Sequence, residues 1–171
     1  LKGHDMPSGL SARAHRIASV SAPAATHLPH AVGVAMAARQ RGEDVVSAAL
    51  FDAIEVDAAD FHSGLNFAGV MRAPTLFVCR VREGEDGAAE HAIAYGLAAD
   101  RCDGSDVDAV IRAVGDARRR AGAGEGATVI DVELGADPIE AARALLGPSW
   151  TAEREDALRS RTENELASAI D

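Results

Sequence analysis

Aromatic residues are scarce in this chain: one Trp, one Tyr and four Phe among 171 residues, or 4%. The core must therefore be packed mainly from Ala, Val, Ile and Leu, which carry most of the 47% hydrophobic share. Positive charge is short as well. Lys and Arg number 17 against 27 Asp and Glu, a net charge of -10, and without a basic face the chain is not a general nucleic-acid binder. There are two cysteines. Cys79 falls in an apolar strand pattern and Cys102 just before a turn; with no close metal-ligand spacing they read as reduced thiols of a cytoplasmic protein. No apolar run is long enough to span a bilayer. The opening L-K-G-H-D-M-P-S leads into no apolar h-region, so it does not read as a signal peptide.

What is present is an alternation of helical and strand patterns. Residues 1–18 are broken by Gly3, Pro7 and Gly9 and read as an irregular N-terminal arm. A small-residue helix follows over Thr26 to Arg41, with Pro29 in its first turn and Gly42 closing it. Continuous apolar runs at Val45 to Phe51 and Thr75 to Val81 predict strands buried on both faces. Helices are expected from about Asp60 to Met71, Ala88 to Tyr95 and Asp106 to Ala121, and further strands over Ala99 to Asp103 and Thr128 to Leu134. Asp137-Pro138 opens another helix, which Gly147-Pro148 ends. Thr151 caps a last, highly charged helix to about Ile170, whose apolar stripe is thin. The order predicts a three-layer α/β/α domain with a mainly parallel sheet over 19–147, followed by a charged C-terminal helix over 148–171.

The loop after the first strand and the start of the second helix bring several carboxylates and an imidazole together: Asp52, Glu55, Asp57, Asp60 and His62. In an open α/β sheet a loop at the carboxyl end of a strand is where ligands bind. These groups are candidates for a repurposed metal or acid/base site. The competing expectation is structural, with Asp57 or Asp60 capping the helix and the other charges solvated. His27 and His30 read as polar helix-start residues, since no further ligand type is spaced near them.

Several stretches in order, S-V-S-A-P-A-A-T-H-L-P-H-A-V-G-V-A from Ser19, D-F-H-S-G-L-N-F-A from Asp60, P-T-L-F-V-C-R from Pro74, A-Y-G-L from Ala94 and D-G-S-D-V from Asp103, resemble the alpha subunit of thiamine-diphosphate-dependent 2-oxo acid dehydrogenases, the pyruvate and branched-chain decarboxylating components. The resemblance implies a thiamine-diphosphate-binding-like fold and a beta-subunit-like partner sharing the active site. It also implies a cofactor whose diphosphate is bridged to magnesium by oxygen ligands. In that family a G-D-G or G-E-G turn and an N-N-G turn supply the metal ligands. Ungapped alignment puts Asp52-Ala53-Ile54 at the first and Val81 and Arg82 at the two Asn positions of the second.

Of the cofactor contacts the resemblance implies, only Arg80, a diphosphate contact, carries across. His27 stands where a potassium-binding Gln is usual, Ala22 where a Ser precedes Pro, and the His- and Ser-rich loop after the last strand is replaced by Glu133-Leu134-Gly135-Ala136. These departures predict a shortened, degenerate homologue, a pseudoenzyme without thiamine diphosphate or magnesium. It would act as a structural or assembly partner of a beta-subunit-like chain, or as a homo-oligomer. The alternative is an active alpha subunit, or one of a related acyl-transfer enzyme, with the cofactor held largely by the partner.

Overall fold

The computed structural model describes residues 16–17, 23–135 and 137–170. Most of the expected N-terminal arm lies outside the described residues, as do Ser21 and Ala22. The chain divides into two compact units, one ending at Gly135 and the other beginning at Ala136. The helix after Asp137-Pro138 thus groups with the final charged helix and not with the sheet.

In the first unit, helix α1 (His27–Gln40) leads to strand β1 (Ser47–Asp52), a 3-10 turn (Ala53–Asp57) and helix α2 (Ala59–Met71). Strand β2 (Thr75–Arg82), the short helix α3 (Ala89–Ala94), strand β3 (Ala98–Asp103), helix α4 (Val107–Gly122) and strand β4 (Thr128–Leu134) complete it. The four strands are ordered β1-β2-β4-β3, and all three neighbouring pairs are parallel. Two of the central strands explain themselves chemically: T-L-F-V-C and T-V-I are β-branched or aromatic runs that fit a pleated surface covered on both sides.

Helices lie on both faces. On one, Phe51, Phe77, Cys79 and Val129 of the sheet pack with Leu28 and Val32 of α1, Phe61 and Leu65 of α2 and Ala92 of α3. On the other, Leu76, Ile130 and Val132 meet Ala113, Ala117 and Ala121 of α4. The three alanines recur every four residues along α4, so the helix turns one small-residue stripe to the sheet and keeps Asp116 and Arg118 to Arg120 exposed. This is the three-layer architecture expected from the alternation of patterns.

Close approach on the first face depends on α2. A Cβ at Gly69 would lie 2.2 Å from the Tyr95 carbonyl oxygen, and one at Gly64 3.0 Å from Leu28 Cβ. The helix therefore fits between α1 and α3 because it lacks side chains on those two lines of contact. In the second unit, α5 (Pro138–Leu146) and α6 (Ala152–Ile170) are joined by a 3-10 turn, Gly147–Ser149. Asp137 caps α5 by accepting the Ile139 N–H at 2.9 Å, and Thr151 accepts the Arg154 N–H at 3.2 Å. No helix among the described residues is long and apolar enough to cross a membrane.

Candidate functional site

The carboxyl ends of the strands gather most of the residues singled out from sequence. Asp52 ends β1 and Arg80 stands directly beside it on β2. Their side chains pair, Arg80 Nη2 donating to Asp52 Oδ2 at 2.8 Å. The other carboxylate oxygen, Asp52 Oδ1, is buried and has no hydrogen-bond partner among the described residues.

Glu55, in the 3-10 turn, accepts two backbone N–H groups. One is its neighbour's, Asp52 N–H at 3.0 Å, and the other comes from Ala25 across the fold. Asp60 accepts the hydroxyl of Thr26 at 2.7 Å. The imidazole Nε2 of His27 meets the Leu50 carbonyl at 2.8 Å, and because that oxygen can only accept, the nitrogen there carries a proton. Three consecutive residues, Ala25, Thr26 and His27, thus stitch the start of α1 to the turn after β1, to α2 and to β1 itself. Ala25 sits at φ +59° and is fully buried, a left-handed backbone that an alanine holds only when its surroundings enforce it.

The expected helix caps are corrected by this arrangement. The residue preceding α2 is Ala58, which cannot cap with its side chain. Asp60 is inside the helix and bonded to Thr26, while Asp57 is exposed. His62 is turned away from the carboxylates toward α3, with its Nδ1 2.8 Å from the Tyr95 hydroxyl and its ring beside His91. The five candidates therefore do not converge on one point. Among the described residues no group of three or more His, Cys, Asp or Glu side chains is arranged to hold a metal.

A polar groove opens alongside, at the ends of β2, β3 and β4. Its charged lining is Arg82 against Glu83, Glu85, Asp103 and Glu133. Arg82 is already engaged by Glu85 at 3.5 Å. Hydrogen bonds from the hydroxyl and N–H of Ser105 hold the Asp103 carboxyl below the usual carboxylate range, so it stays charged. Ile54, 79% exposed, stands in the turn that the resemblance would set against a phosphate. A magnesium diphosphate needs free oxygen ligands and unpaired cations. The described residues at this end, with both arginines paired and carboxylates on the rim, do not fit it by themselves.

Two features escaped the sequence reading. Thr26 and His27 read from sequence as helix-start residues and as members of a turn that holds potassium in the family. Their bonds to Asp60 and Leu50 stayed hidden because these partners lie 34 and 23 positions away. Asp131 carried a plain signal, one acidic residue inside the apolar run T-V-I-D-V, and the structure buries it completely on the α3 side of the sheet.

With this geometry in place, comparison with known proteins identifies the lineage. The family described as "Dehydrogenase E1 component" matches residues 2–134. The 2-oxoisovalerate dehydrogenase subunit alpha of Bacillus subtilis is 34% identical over 140 residues, covering 75% of this chain and 42% of that protein. The 3-methyl-2-oxobutanoate dehydrogenase subunit alpha of Mycobacterium tuberculosis is 33% identical over 165 residues, 90% of this chain and again 42% of the relative. This chain thus spans less than half the length of these curated relatives.

Among solved structures, one described as a thiamin diphosphate-dependent enzyme from Mycobacterium smegmatis shares the fold with a TM-score of 0.55 at 20% identity. That match covers 70% of this chain and 24% of the other. Benzoylformate decarboxylase from Polynucleobacter necessarius gives 0.53 at 16% identity, covering 69% and 25%. These findings correct the expectation of a chain without cofactor: the lineage points to thiamine diphosphate and a metal. The departures at the two turns concern this chain's own ligands and not what the family's assembled site takes. The chain is a shortened, alpha-subunit-like member of the dehydrogenase E1 component family.

Proposed function

We propose that the chain is the alpha-like component of a thiamine diphosphate-dependent 2-oxo acid dehydrogenase in the cytoplasm, assembled with a beta-subunit-like chain that holds most of the cofactor. The observation that carries this is the state of the loop after β1. Glu55 and Asp60 are committed to holding α1 against the sheet, and Asp52 to Arg80. The loop is therefore a braced support and not a free ligand set. Arg80, half exposed, is the side chain we assign to the diphosphate, which would have to displace Asp52 as its partner. The relatives' names suggest a branched-chain 2-oxo acid as the substrate class. Two free cysteines suit a reducing compartment.

Co-expression with a beta-subunit-like chain of the same source, followed by size-exclusion chromatography and titration of thiamine diphosphate with and without magnesium, tests the proposal. The expected result is a stable heteromer with magnesium-dependent affinity for the cofactor, weakened by Arg80→Ala. A chain that elutes alone or only with itself overturns the partnership. A heteromer without magnesium-dependent affinity favours a second function, as an assembly partner that does no chemistry. The bracing of the loop supports that reading too.

A further inference from the structure

Asp131 lies in the central strand β4 and its side chain is 0% exposed. A carboxylate is tolerated at such a position only when its charge is hydrogen-bonded and paired. Two of its partners are neighbours in the chain. The N–H of Ala88 reaches Oδ1 at 2.9 Å, and the N–H of Ala89 reaches the two oxygens at 3.2 and 3.1 Å. The third is Arg101 on β3, with Nη2 3.5 Å from Oδ2.

The backbone comes so near that a Cβ on Gly87 would stand 1.9 Å from Oδ2. Any side chain at residue 87 would have to displace the carboxylate. Ala88, at the N-cap of α3, makes no side-chain capping bond of its own, and a helix of six residues does not persist without external support. The near end of the same segment is tied separately, the Arg82 N–H donating to Glu85 at 2.9 Å.

We infer that Asp131 is a positioning residue: acting from β4 through the N–H groups of Ala88 and Ala89, it sets the course of segment 83–89 at the mouth of the groove. Residues Glu83 to Glu85 of that segment line the groove. Asp131 itself touches no ligand position and serves the site through the backbone it holds. Its importance for function rests on the proposal that this end of the sheet is the functional one; the anchor itself does not, and it is measurable without partner or cofactor.

Residue-resolved hydrogen exchange on the full chain tests it, comparing the amides of Ala88 and Ala89 with those of Val129 and Ile130. In Asp131→Asn, which keeps one acceptor oxygen, exchange at Ala88 and Ala89 is expected to rise about tenfold while the strand amides stay unchanged. Arg101→Gln, which leaves the carboxylate in place, is expected to change the two amides by less than about threefold. Gly87→Ala, which evicts the carboxylate without removing it, should reproduce the Asp131→Asn signature and stands in should that variant not fold. Unchanged exchange at Ala88 and Ala89, or a rise matched at Val129 and Ile130, would overturn the inference.

Discussion

Glu55 and Asp57 are two residues apart and carry the same charge, yet their situations differ completely. The Glu55 carboxylate receives the N–H groups of Ala25 and Asp52, whereas the Asp57 residue is exposed. Removing Glu55 leaves two donors in a half-buried setting without acceptors. The cost of such orphaned groups is about 1–3 kcal/mol. Glu55→Ala should therefore lower the free energy of unfolding by that amount in urea denaturation, and Asp57→Ala by less than about 0.5 kcal/mol. Equal effects would show that the loop's charges are interchangeable and that the brace is not one. Cys79 makes the same point about position. Burial, aided by the nearby Asp131 charge, pushes its thiol up to about 12, so in the folded protein it is neither a nucleophile nor a metal ligand at neutral pH.

The elements themselves were legible in the chain, mostly to within two residues, since strand and helix periods are local properties. T-L-F-V-C and T-V-I are buried strands, and Pro138 and Thr151 mark helix starts by chemistry that needs no partner. V-V-S-A-A-L-F, however, corrects the expectation of burial on both faces: β1 is an edge strand whose residues alternate, leaving Leu50 62% exposed. The site was legible only as a list. That Glu55 and Asp60 brace α1 depends on contacts 30 and 34 residues apart, and nothing in the spacing of D-A-I-E-V-D-A-A-D distinguishes the bonded carboxylates from the exposed one. The edge strand shows what the list conceals. His27 covers the Leu50 carbonyl and Glu55 the Asp52 N–H, so two residues that look like site chemistry also block groups through which an unpaired strand would add another chain.

The turn between α5 and α6 offers a reporter at the same scale. Trp150, the only tryptophan in the chain, donates its indole N–H to Glu155 at 2.9 Å, and Arg143 pairs with the same carboxylate. The indole hydrogen bond first, and the guanidinium next, hold the Glu155 carboxyl below the usual range. A carboxyl lowered on folding stabilises the turn above its unfolded pKa and loses that contribution as pH falls through the folded value. Trp150 fluorescence should therefore change on acidification with a midpoint below that of an ordinary glutamate, and Glu155→Gln should abolish the transition. A midpoint at or above the ordinary value would show that the three-residue contact does not persist in solution.

At the scale of the whole molecule, burial is distributed unequally between the two units. Among the described residues every buried hydrophobic side chain belongs to the unit that ends at Gly135, where twenty-five alanine, valine, leucine, isoleucine and phenylalanine residues and Cys79 make an interior poor in rings. No described side chain from 137 to 168 is buried. Helices that bury no face are marginal in water, because nucleation and side-chain ordering are not offset by packing. Cooperative stability should accordingly reside in the α/β unit. A chain ending at Gly135 is expected to keep a single calorimetric transition, its midpoint shifted by less than about 5 °C, the equivalent of about 1 kcal/mol for a domain of this size. The peptide 136–171 alone should show little helical circular dichroism. If the truncated chain melted far lower or lost cooperativity, stability would have to be shared with the C-terminal helices, and the small-residue core would be insufficient by itself. If it melts as expected, the exposed apolar residues of the second unit, Ile139, Leu145 and Leu166 among them, are free of any duty to the fold, and mutating them in the heteromer becomes a clean test of whether they serve assembly.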